Sequence, residues 1–215
     1  MMDNLQISKV LKHFNIDFES TSSFEIYGAP SRSAGRILIT DISKEKYILE
    51  KHHFWNMSKK LKIAENINFL HSNGFEECSP YIDSVQGTPV IEFENRCWMV
   101  QKFIDHDILP RPDYLDDGLK GKAAAETLLK MYEISSNLKM NDTIDSFSLA
   151  EHTLKTVKKI RDIHPEILSK TQNVLNIIEY SFNDLIEEMS IVFCHGDYHP
   201  LNILWDGNNV KKVID

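Results

Sequence analysis

Cysteine is scarce in this chain, and the three residues present, Cys78, Cys97 and Cys194, form an odd and scattered set. That excludes a disulfide framework of the secreted kind and points to reduced thiols in the cytoplasm. No apolar run approaches the length needed to span a bilayer, and Met1-Met2-Asp3 opens no signal peptide. Clustered basic residues are missing too: 24 Lys and Arg stand against 32 Asp and Glu, for a formal net charge of −8. Nucleic acid and anionic membrane both require grouped Lys and Arg, so neither is an expected partner. Internal repeats and low-complexity tracts are absent. What remains is an ordinary globular composition: 215 residues with 42% hydrophobic content, enough for one large domain or two small ones.

The first elements follow from periodicity. Residues 5–14 (LQISKVLKHF) set Leu5, Val10, Leu11 and Phe14 at helical spacing. Strands are expected over Ser23–Tyr27, Arg36–Thr40 and Lys46–Lys51, with a small-residue loop, Gly28 to Gly35 (GAPSRSAG), between the first two. Asn56–Ser72 reads as a helix. Tyr81–Val85, Pro89–Glu94 and Arg96–Phe103 read as strands, the last two meeting at a turn around Asn95. Asp105–Gly118, with two prolines and five aspartates, reads as a surface loop, and three amphipathic helices are expected over Lys120–Leu138, Ala150–Ile163 and Thr171–Met189.

The last twenty-five residues, IVFCHGDYHPLNILWDGNNVKKVID, organise the rest. Ile191-Val192-Phe193 reads as a short buried strand and His195–Asn202 as a polar loop. A hairpin follows, in which Ile203–Trp205 and Val210–Ile214 flank Asp206-Gly207-Asn208-Asn209. This geometry lets Asp197, Asn202 and Asp215 converge. Such a set suits phosphoryl transfer to a hydroxyl: one carboxylate orients the attacking oxygen and accepts its proton, while an amide oxygen and a second carboxylate hold Mg²⁺. A metal-site reading of Cys194, His195 and His199 is weaker, because no second Cys/His pair stands at zinc spacing.

Asp197 and Asn202 stand at the Asp-to-Asn spacing of the kinase catalytic loop, here written His195-Gly196-Asp197-Tyr198-His199-Pro200-Leu201-Asn202. Glycine after the histidine, then a hairpin and Val-Ile-Asp, resembles the aminoglycoside phosphotransferase and choline kinase-type branch of the kinase-like enzymes. The resemblance implies a bilobal α+β kinase-like fold, with a nucleotide-binding lobe over residues 1–103 and part of a helical catalytic lobe over 104–215. It implies Asp197 as catalytic base, His195 as the brace of the catalytic loop, Asn202 and Asp215 as Mg²⁺ ligands, and ATP as phosphoryl donor. Backbone groups around Gln101 to Phe103 would meet the adenine.

The loop carrying Gly28, Ser31 and Ser33 suits a phosphate clamp, although the same composition serves a plain hairpin connection. A kinase-like amino-terminal lobe also needs a strand lysine paired to a helix glutamate. Lys51, two residues after Leu49, is the candidate, with Glu65 as its partner. The family's usual lysine directly follows such a leucine, and that position holds Glu50. The implied activity is ATP-dependent phosphorylation of a small hydroxylated molecule, such as an aminoglycoside, another sugar, choline or homoserine, with the acidic charge favouring a cationic one. A catalytically inactive nucleotide-binding or interaction protein is the alternative. Family members continue past the position of Asp215, so a fragment or a naturally short protein is expected, with weak nucleotide binding.

Overall fold

The structure is a computed structural model that describes residues 3–22, 35–107, 117–136, 149–188 and 194–214. By contact density the chain divides into two compact units, one of Met1–Asn137 with Cys194–Asp215 and the other of Leu138–Phe193.

The first unit opens with helix α1 (Asn4–Lys12), capped by the Asp3 carboxylate, which accepts from the Leu5 N–H at 3.2 Å. Strands β1 (Phe18–Ser22), β2 (Gly35–Asp41), β3 (Lys46–His53), β4 (Ile91–Phe93) and β5 (Arg96–Lys102) form one antiparallel sheet in the order β1-β2-β3-β5-β4. Alternation along β5 explains its two-sided burial. Trp98 and Val100 join Ile7, Val10 and Leu11 of α1 in one core, whereas Cys97 and Met99 join Ala64 of helix α2 (Met57–Ser72) in another. The sheet is therefore a middle layer between α1 and α2. Glu94 and Asn95, at φ 51° and 56°, supply the two left-handed residues that a two-residue type I′ connection between β4 and β5 requires.

One expectation is corrected here, and two others lie outside the described residues. Tyr81–Val85 is no strand: Tyr81 makes a single bridge to Gln101, after which Ser84 to Thr88 closes a tight turn through Gly87 at φ 74°. The edge strand β1 lies at Phe18–Ser22, where one apolar residue among polar ones gives no alternating signal, and the strand expected over 23–27 lies outside the described residues. Ile191-Val192-Phe193 lies outside them as well.

Helix α3 (Gly118–Ser136) and the hairpin of β6 (Ile203–Asp206) and β7 (Asn209–Val213) complete this unit. Asp117 caps α3, accepting from the Leu119 and Lys120 N–H groups at 2.9 and 3.3 Å. The hairpin turn is shorter than expected: Asp206 pairs with Asn209, leaving Gly207 and Asn208 as the connection, with Gly207 at φ 59°. Asp107 straps this turn by accepting from the Gly207 N–H at 2.7 Å and donating its own N–H to Trp205 at 3.0 Å. On the other side β7 is stitched to the segment after α2, where the Val213 N–H donates to the Glu77 carbonyl at 2.6 Å and Cys78 bridges Val213.

The second unit holds α4 (Leu149–Ile163) and α5 (Pro165–Glu188), which face each other through residues such as Val157, Ile160, Leu168 and Leu175. Helix α5 starts six residues before the expected Thr171, because Pro165 lacks the N–H that the first helical position cannot use. No helix among the described residues is long and apolar enough to cross a membrane.

Candidate active site

The loop 195–202 is built from its own backbone bonds. Gly196 adopts φ 78°, and a Cβ there would meet nothing within 4 Å, so the demand for glycine is conformational rather than steric. His195 then acts as a clasp. Its Nδ1 accepts from the Asp197 N–H at 3.4 Å, which puts the ring proton on Nε2, and Nε2 donates to the Ile214 carbonyl at 3.2 Å. One imidazole thereby joins the proposed base to the residue preceding Asp215. Asp215 itself lies outside the described residues.

Asn202 closes the loop from the other end. Its side chain is buried, its Nδ2 donates to the Asp197 carbonyl at 3.0 Å, and its carbonyl accepts from the Ile214 N–H at 2.9 Å. Because the amide nitrogen is committed to Asp197, the oxygen is the atom left to meet a ligand. A neutral hard oxygen fits Mg²⁺, so the donor chemistry at this position suits the implied metal. Among the described residues no group of three or more His, Cys, Asp or Glu could hold a metal ion, which leaves a cysteine-histidine site through Cys194, His195 and His199 without support. The Asp197 carboxylate is 57% exposed, with Oδ1 3.5 Å from His199 Nε2. A group that must reach an incoming substrate needs such exposure.

Two supporting side chains escaped sequence reasoning. His199 caps the helical turn Pro200–Asn202 by accepting from the Leu201 N–H through Nδ1 at 3.2 Å, and its Nε2 then faces Asp197. The signal was available, since a side-chain acceptor followed by proline marks a helical start. Tyr198 anchors the loop to α3, donating its hydroxyl to the Ala124 carbonyl at 2.7 Å, with its ring edge against His195. Burial, and then the Glu77 charge, push the Tyr198 phenol up to about 12. Its tether to Ala124 is long-range and carries no local sequence mark.

The nucleotide side is less well joined. Gly28, Ser31 and Ser33 lie outside the described residues. Gln101 sits on β5 and donates Nε2 to the Ser79 carbonyl at 2.6 Å, while the Phe103 N–H is taken by the Lys46 carbonyl at 2.9 Å. The expected pairing of Lys51 with Glu65 does not form. Lys51 shares the α1 face with Trp98, its Nζ 5.0 Å from that ring's centre and 3.4 Å from Gln6 Oε1, whereas Glu65 is exposed on α2, against the opposite face. Strand alternation makes Glu50, not Lys51, the residue that faces the α2 side. There the Glu50 carboxylate lies 3.2 Å from Arg36 Nε and 2.8 Å from His52 Nε2.

The chain superposes on solved kinase structures along its whole length. It is similar to spectinomycin phosphotransferase in complex with ADP and spectinomycin (15% identity, TM-score 0.65, covering 100% of this chain and 68% of that one). Amicoumacin kinase in complex with AMP-PNP, Ca²⁺ and Ami gives 13% identity and a TM-score of 0.68, over 100% of this chain and 64% of that chain. The GDP and kanamycin complex of APH(2")-IIia gives 14% and 0.67, over 99% and 72%. At these identities the likeness shows the fold, which is the α+β kinase-like one, and the chain spans about two thirds of the length of these neighbours. No curated protein matches the sequence. Residues 35–215 match the Phosphotransferase enzyme family, and the chain belongs to it.

Proposed function

We propose that this chain carries the nucleotide-binding and catalytic-loop portion of an ATP-dependent kinase that phosphorylates a hydroxyl of a small molecule. The observation that carries the reading is the loop itself: an exposed Asp197 carboxylate on a backbone locked by Asn202 and His195. In the reaction the substrate hydroxyl oxygen bonds to the γ-phosphorus, the bond from that phosphorus to the β–γ bridging oxygen breaks, and ADP leaves. The hydroxyl proton passes to Asp197. Mg²⁺, held by Asn202 and Asp215, would neutralise charge on the phosphates. His195 keeps the loop in register, and residues 1–103 and 104–215 serve as nucleotide and catalytic lobes.

The donor nucleotide would rest on the 28–35 loop and on backbone of the β5 exit. Since the Phe103 N–H is spent on Lys46, the adenine would meet carbonyls there or N–H groups from Ile104 onward. The net charge of −8 favours a cationic acceptor such as an amino sugar, and the neighbours in complex with spectinomycin and kanamycin are consistent with that class. A cytoplasmic setting suits the reduced thiols.

Thermal unfolding with MgATP, with Mg²⁺ alone and with nucleotide alone tests the site, because a ligand that binds only the folded state raises the midpoint. A rise requiring both components, together with ADP release that Asp197→Asn abolishes without loss of fold, supports the enzyme. The second reading, a nucleotide-binding protein without transfer, is favoured by the acidic Glu50 where a lysine would stand. It predicts the same midpoint rise with no ADP release from any screened alcohol.

A further inference from the structure

The end of the sheet where β3 leaves and β5 begins carries a cavity that the catalytic loop does not use. It holds about 330 Å³ and is lined by His53, Phe54, Trp55, Glu94, Asn95 and Arg96. His53 ends β3, Glu94 and Asn95 form the turn from β4, and Arg96 opens β5 opposite His53. Gln101 to Phe103 lie at the other end of β5, roughly 20 Å away at the rise of an extended strand. The cavity is therefore separate from the backbone proposed to meet the adenine.

The first observation that marks a binding site is an aromatic platform. Trp55 is 75% exposed, an uncommon position for an indole, yet its ring is stacked on the His53 imidazole, with centroids 4.2 Å apart and planes 6° from parallel. Arg96 Nη1 donates to His53 Nδ1 at 2.6 Å and so pins the imidazole that carries the indole. Since a guanidinium has no acceptor, Nδ1 is the unprotonated nitrogen and the ring proton sits on Nε2.

The second observation is charge. Arg96 makes no ion pair among the described residues, and its side-chain partner is the neutral imidazole of His53. Glu94, the acid of the lining, is engaged by Gln6 of α1, whose side-chain amide donates to it. A guanidinium without a carboxylate, beside an indole with one face covered and the rest open, matches a ligand that combines a flat ring with an oxyanion. The ring would stack on Trp55, and the oxyanion would take the N–H groups of Arg96 that His53 does not use. Because Trp55, His53 and Arg96 already hold one another, such a ligand orders little on arrival.

We propose that this cavity binds a small planar aromatic molecule carrying a carboxylate or phosphate group. Trp55 is the stacking platform, Arg96 the anion-binding group and His53 the positioning residue between them. The inference is independent of the nucleotide reading.

Ligand-observed NMR titration of the 215-residue chain tests it with benzoate and phenyl phosphate as probes. Benzamide removes the charge, benzylamine reverses it, and cyclohexanecarboxylate removes the flat ring. For fragments of this size a Kd on the order of 1 mM is expected. At least one anionic probe should bind about tenfold tighter than all three controls and shift the Trp55 indole N–H resonance, and the tighter of the two anions identifies the oxyanion. Trp55→Ala should weaken that probe about tenfold. Arg96→Gln, which keeps a donor for His53, should weaken it about tenfold while leaving benzamide within about twofold. No saturable binding of either anion up to about 20 mM overturns the site, as does benzylamine binding as tightly or an unchanged affinity in either variant. Far-UV circular dichroism monitors folding, and if Arg96→Gln unfolds, the exposed Trp55→Ala decides alone.

Discussion

Asn202 donates its side-chain N–H to the main-chain carbonyl of Asp197, a 3.0 Å bond between the two residues proposed to carry the chemistry of the loop. Asp197 is therefore held by its backbone, and its carboxylate stays exposed. Asn202→Leu should cost about 1–3 kcal/mol, the penalty for orphaning a part-buried carbonyl, and should also abolish the midpoint rise with MgATP. Urea unfolding measures the first effect and thermal unfolding the second. A stable variant that still responds to MgATP would remove Asn202 from the site.

Acid should loosen the sheet through Glu50. Burial pushes its carboxyl up, but the His52 hydrogen bond and the charges of Arg36 and Lys60 outweigh that and hold it below the ordinary glutamate value. A lowered folded-state pKa contributes stability above the unfolded value of 4.5 and loses it as pH falls through the folded one. Midpoints recorded from pH 6 down to pH 3 should fall more steeply in wild type than in Glu50→Gln. At pH 7, Glu50→Ala should cost about 3–5 kcal/mol by breaking the buried pair with Arg36.

Alkali should act through Tyr198. Its phenol is raised from 10.0 to about 12, so the stability it contributes is complete below pH 10 and lost as pH rises through 12. Tyr198→Phe should cost about 0.5–1.5 kcal/mol at neutral pH, for the lost bond to Ala124, and should flatten the alkaline limb of the stability curve. Equal slopes above pH 10 would exclude Tyr198 as the cause.

Thiol alkylation should sort the cysteines. Cys78 and Cys97 are buried, and burial pushes both thiols up, Cys78 to about 11, whereas Cys194 is exposed next to the 195–202 loop. Iodoacetamide at pH 8 followed by peptide mass spectrometry should find Cys194 modified first, with the other two labelled only after denaturation. Early labelling of Cys97 would mean that the α2 face opens readily.

Legibility in the sequence tracked the range of the determining contact. The hairpin 203–213 and the turn at Asn95 were readable because Gly207 and Asn95 stand where tight connections need positive φ. The segment KYILEK was readable as a strand but not as a face: Tyr47 and Leu49 point one way and Ile48 the other, so apolarity alone cannot say which side meets α2. Only the packing of Trp98 against α1 and Met99 against α2 decides it, and that turns Lys51 away from Glu65 and Glu50 toward α2. The contact between Asp197 and Asn202 follows from residues five apart in sequence, whereas the Tyr198 tether to Ala124 spans 74 positions and leaves no local trace.

The stitch between β7 and the segment after α2 bears on how the chain folds. Lys212 donates to the Cys78 carbonyl across 134 positions, so this contact forms only after a large loop has closed, and its entropy must be met before the contact gives anything back. The strands β2 and β3 pair across a turn of a few residues and can form early. Trp98 sits in the sheet core and Trp205 in the hairpin, which places one fluorophore on each event. In refolding, with Trp55→Phe in both backgrounds, the emission of Trp98 in a Trp205→Phe chain should settle before that of Trp205 in a Trp98→Phe chain, making assembly of the 203–213 hairpin the late step.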